Sequence, residues 1–222
     1  NIPAVNSVIT VTDPSNLNDA WNKYTDVRLD ASKISKPESV NVPAGKTLTL
    51  TGTNATNKLT VTVEKGATLD VKGGESAATL DVTVKAGGVM NVPNGKLIGG
   101  SDAPLSADAD VTVKETANGG WELGASSGTI TVNSNTKFGA KDAMNITGNA
   151  KIVGGKTGVT VNFDTATTMT AMPYGSFFKN DGNASTASTA CSGASDLQNK
   201  TFVWGSYYTD TSSNTATGWV QQ

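Results

Sequence analysis

The sequence predicts an all-β protein built as a solenoid, in which short strands and turns wind into successive coils. A phrase of alternating apolar residues, a glycine and a second apolar run recurs every 21 residues, starting at Val42, Val63 and Val84. The chain is also rich in Thr, Gly, Ala, Val and Asn, a composition typical of short strands joined by turns. A fixed period in this range indicates stacked units that bury their apolar faces only against their neighbours.

The three copies of the repeat align position by position. Gly45, Gly66 and Gly87 take the same place in each copy, where we expect a corner that favours glycine through positive φ or crowding. The alternation of apolar residues and Thr within each copy predicts apolar columns inside the stack and Thr columns outside it. Val42, Val63 and Val84 should therefore lie on adjoining layers.

The period becomes less regular after the third copy. Residues 111–113 follow residues 82–84 by 29 positions, which predicts an eight-residue insertion looped out of a stack that then resumes. We expect about six coils in all. The later and looser coils are predicted at residues 130–138, 144–152 and 159–163.

The two ends of the chain differ from the coils. Residues 1–12 predict an extended strand, and Ser15 is a good N-cap for a short helix that carries Leu17 and Trp21 on one face. From about residue 165 the chain is rich in Ser, Thr, Asn and aromatic residues. The predicted organisation is an N-terminal strand and capping segment (1–39), parallel β-helix coils (40–164) and an aromatic-rich C-terminal β cap or extension (165–222).

Composition argues against several classes of function. Only 16% of the residues are charged and the net charge is −2, which disfavours electrostatic capture of nucleic acid or of an anionic membrane. There is no His, and Arg28 is the only Arg, so the usual residues for acid–base chemistry and anion recognition are scarce. No apolar run approaches the roughly 20 residues of a transmembrane helix. Such a polar chain is typical of a secreted protein on the extracellular cell surface.

The phrases that begin at Val42 and Val63 resemble the coils of right-handed parallel β-helices of the pectin-lyase-like superfamily. They are closest in style to bacterial surface adhesins, autotransporter passenger domains and surface-layer proteins. The segment from Leu17 to Leu29, which leads into Val40, resembles the N-terminal cap of that superfamily. The resemblance implies a right-handed parallel β-helix of about six coils with an N-terminal helix-containing cap and a C-terminal β extension. It leaves function open, because the superfamily includes polysaccharide lyases, hydrolases and non-catalytic adhesins.

Carboxylates are scattered through the coils, and no facing pair at hydrolytic spacing can be identified. We therefore predict no catalytic residue and no enzyme activity, with a polysaccharide lyase-like enzyme as a minor alternative. Asp102, Asp108 and Asp110 lie in the inserted loop and are candidate Ca²⁺ ligands, although a solvated acidic turn is the favoured interpretation. No other metal or cofactor is predicted.

The single cysteine, Cys191, excludes an intrachain disulfide. A nucleophilic thiol needs a general base, and the usual partner, His, is missing. We expect a buried or idle thiol, with an intermolecular disulfide as the alternative.

Four aromatic residues near the C-terminus form a candidate partner or glycan surface. Flat rings suit the faces of pyranose sugars and also anchor neighbouring subunits, while ordinary core packing is a third interpretation. Adjacent Tyr residues in a strand face opposite sides, so at least one should meet solvent or a partner. The four residues are Trp204, Tyr207, Tyr208 and Trp219.

The N-terminal strand is a candidate for assembly, because an extended segment can add to the exposed sheet edge of a neighbour. Its apolar residues are Val5, Val8, Ile9 and Val11. We expect a non-enzymatic extracellular structural protein that assembles with itself as a surface layer or filament. A carbohydrate-binding surface adhesin, with polysaccharide as its partner, is the alternative. An ice-binding protein is a minor alternative, suggested by the alternating Thr residues of segment 47–53.

Overall fold

The structure, a computed structural model, describes residues 9–52, 54, 56–72, 80–92, 95–98, 104–107, 111–116 and 119–222. Within these ranges the protein is predominantly β, and its strands wind into a β-solenoid of about six turns, as predicted. One short α-helix, α1 (Leu17–Trp21), follows the first strand. The strands in chain order are β1 (Ile9–Val11), β2 (Asp26–Asp30), β3 (Glu38–Val42), β4 (Thr47–Thr51), β5 (Leu59–Val63), β6 (Thr68–Val71), β7 (Leu80–Val84), β8 (Val89–Val92), β9 (Gly95–Ile98), β10 (Leu105–Ala107), β11 (Val111–Glu115), β12 (Trp121–Ala125), β13 (Thr129–Val132), β14 (Thr136–Phe138), β15 (Ala143–Ile146), β16 (Lys151–Gly154), β17 (Thr160–Phe163), β18 (Thr168–Ala171), β19 (Phe177–Phe178), β20 (Lys200–Tyr208) and β21 (Thr215–Gln221).

The three regular repeats form the first half of the stack. β3, β5 and β7 pair in parallel in a seven-stranded sheet, and β2, β4, β6 and β8 pair in parallel in a six-stranded sheet. Val42 pairs with Val63, and Val63 pairs with Val84. The predicted alignment of successive 21-residue units on adjoining layers is therefore confirmed.

Apolar columns run through the interior of this half. Leu48 stacks on Leu69, and Leu69 stacks on Met90, and all three are fully buried. Each such side chain contributes about 1.5–3 kcal/mol by leaving water, and each is covered only because a neighbouring layer lies above and below it. The outward column is less uniform, because Thr49 is only 3% exposed and its Oγ1 donates to Asp26 Oδ1 at 2.9 Å.

Glycine corners stack in the same way. Gly45, Gly66 and Gly87 have φ of +78°, +79° and +82°, which confirms the prediction that these positions favour glycine. The Gly45 N–H donates to Gly66 O, and the Gly66 N–H donates to Gly87 O, both at 3.0 Å. The corners thus add backbone hydrogen bonds between layers.

The chain reverses direction after the third repeat, which the sequence analysis did not predict. β11 lies beside β7 as expected but runs antiparallel to it, with Val111 opposite Val84 and Val113 opposite Val82. A Val-Thr-Val segment presents the same inward face in either direction. The apolar column therefore continues with Val111, and the hydrophobic pattern does not determine the direction of the strand.

A second reversal restores the original direction. β12 runs antiparallel to β11, and β12, β15 and β18 then pair in parallel. The predicted layout of the later coils, in which the strands at Ile130 and Met144 are equivalent, is wrong. Met144 pairs with Leu123 of β12, and Ile130 pairs with Ile152 in a separate sheet. Trp121, Leu123 and Ala125 alternate with Glu122 and Gly124 in β12, so the pattern of this strand was present in the sequence and was overlooked.

The first helix is shorter than a regular amphipathic helix and is preceded by a 3₁₀ turn, residues Pro14–Asn16. Ser15 is not the N-cap, because the Asp13 carboxylate accepts the Ser15 N–H at 3.0 Å. Trp21 of α1 is only 2% exposed, and its Nε1–H donates to Thr47 O at 3.1 Å. That bond attaches the helix to the six-stranded sheet.

The C-terminal region is hydrogen-bonded directly to the coils. β20 runs antiparallel to β17, β21 runs antiparallel to β20, and β19 pairs in parallel with β21. The rings of Phe177 and Phe202 lie 5.9 Å and 6.4 Å from that of Phe163, and all three side chains are fully buried. The apolar interior therefore continues from the coils into the C-terminal strands.

Candidate interaction surfaces

The β20–β21 hairpin positions the four aromatic residues that the sequence analysis selected. Trp204 and Trp219 are directly opposite each other in the antiparallel pair, so their side chains lie on one face. Their rings pack edge to face with centroids 5.0 Å apart. The hairpin thus brings together two residues that are separated by a loop in the sequence.

Trp219 belongs to the core, and its assignment to a partner or glycan surface is wrong. Its side chain is fully buried, and its Nε1–H donates to Ile152 O at 3.0 Å. The ring also stacks on Phe177 at 6.1 Å. A buried indole with its N–H satisfied is a typical anchor of a hydrophobic core.

Trp204 is half-buried and covers the backbone of a neighbouring strand. A Cβ built on Gly154 would lie 2.3 Å from Trp204 Cγ, so the side chain occupies the space that Gly154 leaves open. The backbone of Trp204 is also held, since its N–H donates to Val159 O at 2.9 Å. Trp204 is therefore a partly exposed ring that packs on the surface of the coil.

Tyr207 and Tyr208 lie on opposite faces of β20, as an uninterrupted strand requires. The Tyr207 ring stacks on Phe178 with a centroid distance of 3.6 Å and an interplanar angle of 12°. The two rings meet above Gly218, where a Cβ would lie 3.0 Å from the Tyr207 ring. One face of Tyr207 is therefore occupied within the protein, and the contribution of Phe178 was missed because no sequence pattern links the two positions.

Tyr208 shares its strand face with Trp204, four residues earlier. Both side chains are half-buried, and the exposed Ser206 lies between them. At the rise of a β-strand, their Cα atoms are about 13 Å apart. Trp204 and Tyr208 are thus the two selected rings that remain together on one accessible face.

The N-terminal assembly strand lies only partly within the described residues. Val5 and Val8 lie outside them. Ile9 and Val11 belong to β1, which pairs in parallel with β2 of the same molecule. These two residues are therefore part of the molecule's own first layer, and their addition to the sheet edge of a neighbour stays a prediction.

Ile9 nevertheless marks an open end of the stack. It pairs with Val27 in the register of the apolar column, yet it is 36% exposed, whereas Val27 is fully buried. β1 is the outermost strand of the six-stranded sheet within the described chain. A cleft of about 560 Å³ lies close by, between residues 12–15, residues 33–36 and Glu38.

The seven-stranded sheet also ends in strands that have a single partner. Among the described strands, β3 pairs only with β5 at one edge, and β18 pairs only with β15 at the other. β18 carries no charged side chain, whereas β3 begins with Glu38 and is contacted by residues 14–16. Charged residues are a common protection against edge-to-edge association, so the β18 edge is the less protected of the two.

Two carboxylates in the described C-terminal region accept hydrogen bonds from backbone N–H groups. The Thr189 hydrogen bond to Asp181 keeps the pKa of that carboxyl below its ordinary value, and the Ser192 N–H does the same for Asp196. The part of the chain that the structure describes contains no group of three or more acidic, Cys or His side chains placed to bind a metal. The candidate Ca²⁺ ligands Asp102, Asp108 and Asp110 lie outside the described residues.

Cys191 is free and only 3% exposed. Burial, together with the nearby Asp196 carboxylate, raises the pKa of its thiol to about 11. At neutral pH only about one thiol in ten thousand is then ionised. The predicted burial of the thiol is therefore confirmed.

No helix within the described residues is long and apolar enough to span a membrane. Comparison of the chain with protein-family models, with curated proteins and with solved structures found no match.

Proposed function

We propose that this protein is a non-enzymatic structural protein that assembles with itself into an extracellular layer or filament at the cell surface. The observation that carries the proposal is that, among the described strands, those at the ends of the stack pair with one neighbour each, namely β1 and β3 at one end and β18 at the other. A layered β-solenoid can be extended by a further layer in the same hydrogen-bonding geometry.

The composition supports an extracellular location for this role. The chain is polar, has no His and contains one Cys, which is buried. The resemblance of the repeats to right-handed parallel β-helices of the pectin-lyase-like superfamily, including surface adhesins and surface-layer proteins, points in the same direction. Fractionation of the native cells, with antibody detection of the chain in medium, surface wash and cytosol, tests the location.

Assembly itself can be tested on the purified chain. Light scattering and negative-stain electron microscopy over a concentration series should show filaments or sheets that grow with protein concentration. The same measurement with and without Ca²⁺ shows whether the ion contributes. A chain that remains a monomer throughout both series contradicts the proposal.

A second candidate function, carbohydrate binding by a surface adhesin, is supported by Trp204 and Tyr208. The two rings share one face of β20 and are both partly exposed, and aromatic faces stack on pyranose rings. Retention on insoluble polysaccharides should fall in Trp204→Ala and Tyr208→Ala and stay unchanged in Ser206→Ala, which removes an exposed side chain from the same face. Equal retention of all three variants, or no retention of the native chain, excludes this function.

A further inference from the structure

We propose that two copies of this chain pack face to face, around a two-fold axis, through the outer face of the C-terminal sheet. The outer face is formed by the side chains of β17, β20, β21 and β19 that point away from the core. This inference rests on the proposed self-assembling function and adds a contact surface and its symmetry.

The side chains of the β20–β21 hairpin alternate between two faces. Phe202 and Trp219 are fully buried, so they belong to the inner face. Their neighbours Val203 and Val220 lie opposite each other and are only half-buried. These two valines therefore belong to the outer face, which turns away from the core.

The outer face is apolar around the hairpin. Besides the two valines it includes Tyr207, Ala216 and Phe178, which are all half-buried. None of the outward positions of these four strands, whose residues the structure describes throughout, holds a charged side chain. Charged residues are depleted at the centre of protein contacts, and a contiguous apolar surface marks an interaction site.

Gly205 leaves a gap in this face. It lies within β20, where the register with β21 is uninterrupted from Phe202 to Tyr208, so it marks no bulge. A Cβ at Gly205 would have no atom within 4 Å, so crowding inside the molecule does not require a glycine there. A glycine inside a strand costs stability and often marks the close approach of another molecule.

An aromatic ridge lies beside the gap. The Tyr207 ring stacks on Phe178 with an interplanar angle of 12°. Both rings stand over Gly218, where a Cβ would lie 3.0 Å from Tyr207 and 3.3 Å from Phe178. Gly218 is directly opposite Gly205, so the ridge over β21 and the gap over β20 are about 4.8 Å apart.

A ridge next to a gap is complementary to itself. When a second copy is turned by a two-fold rotation, the ridge of each copy can enter the gap of the other. Such an isologous contact needs only one patch on the chain. A sugar suits the gap less well, because Val203, Val220 and Ala216 offer no side-chain group to bind its hydroxyls.

The area of the outer face determines how strong the contact can be. β21 has 7 residues, so the face is at most about 24 Å long, and its four strands are about 19 Å wide. Two copies would bury at most about 900 Å² in total, which is below the roughly 1,200–2,000 Å² of stable complexes. The isolated dimer should therefore be weak, and the contact gains strength when it is repeated in an assembly.

Chemical cross-linking tests the contact and its symmetry. Gly205→Cys places a thiol in the gap, close to the two-fold axis, so a short bismaleimide should join two copies of this single variant. Ser206→Cys carries an exposed thiol on the opposite face of the same strand and should stay monomeric on a denaturing gel. The native chain controls for Cys191, which is only 3% exposed. Equal cross-linking of the two variants, or none from Gly205→Cys at concentrations where the native chain associates, would overturn the proposal.

A charge in the outer face provides the second test. Val220→Lys would bring an unpaired charge from each copy into the contact, and sedimentation equilibrium should show a dimer dissociation constant at least tenfold higher than that of the native chain. Thr217→Lys, which is exposed on the opposite face of β21, should keep the native value. Circular dichroism checks that both variants are folded. If Val220→Lys is not, Val220→Thr replaces it, with a smaller shift in the same direction.

The outcomes separate this inference from the proposed function. If Val220→Lys forms filaments or sheets as readily as the native chain, the face-to-face contact is wrong but self-assembly stands. A native dimer that never grows supports the contact and contradicts the proposed function. If Val220→Lys loses retention on polysaccharide and keeps the native dimerisation, the outer face binds sugar and the inference is wrong. A native chain that stays monomeric at every concentration contradicts both.

Discussion

Trp204 lies directly over Gly154, so that a Cβ at position 154 would come within 2.3 Å of Trp204 Cγ. The contact joins the C-terminal hairpin to β16 of the coils. It also explains why a glycine occupies a strand position, since any larger residue would displace the ring.

We expect Gly154→Ala to destabilise the protein by about 1–3 kcal/mol, because overpacking forces the tryptophan or the backbone to move. Chemical denaturation followed by tryptophan fluorescence measures the change. Gly205→Ala is the matched control, since a Cβ at that position has no atom within 4 Å. Equal stability of the two variants would show that Trp204 does not depend on Gly154.

Leu69→Ala should destabilise the stack by about 2–5 kcal/mol, because the cavity would lie between two covered layers. Leu69 is fully buried and lies between Leu48 and Met90 in the apolar column. Thr68→Ala, which changes the neighbouring side chain on the outer face, should have a much smaller effect. Urea unfolding of both variants makes the comparison, and a small effect of Leu69→Ala would contradict the layered core.

Trp219→Phe should cost about 1–3 kcal/mol, because it leaves the buried Ile152 carbonyl without the indole donor. Trp204→Phe makes the same chemical change at a half-buried ring and should cost less. Thermal unfolding of the two variants tests the difference. If Trp204→Phe is the more damaging, the assignment of Trp219 as the core anchor is wrong.

The Cys191 thiol should make stability fall at alkaline pH. Its pKa is raised from the ordinary value of 9.0 to about 11 in the folded protein, so the unfolded chain loses this proton first. Between these two pH values the thiol should lower the free energy of unfolding by about 1.4 kcal/mol per pH unit, with no effect below pH 9. The slope in Cys191→Ala, compared with that of the native chain, isolates this contribution from the titration of Lys and Tyr, and identical slopes would contradict it.

Much of the first half of the fold could be predicted because its repeat is nearly regular. The 21-residue step places Val42, Val63 and Val84 at equivalent positions, and the glycine corners occur at the same step. In the second half each coil uses three strands of similar length, so the partners of β13 and β15 could not be chosen from apolar spacing.

The candidate surfaces were less predictable than the fold. Trp204 and Trp219 have similar sequence surroundings, but one is half-buried and the other is fully buried. The difference depends on the position of Ile152 and Gly154 of β16, which are distant in the chain and close in space. No local pattern contains that information.

The amino-acid order alone determines the period of the layers, the inward and outward faces of the strands and the glycine corners. These follow from local rules, namely the two-residue alternation of a strand and the steric freedom of glycine. The tertiary structure decides the direction of β11, the strand partners in the later coils and the depth of each aromatic ring. Those features depend on contacts between distant residues, and a strand such as Val111–Glu115 can bury the same valines whichever way it runs.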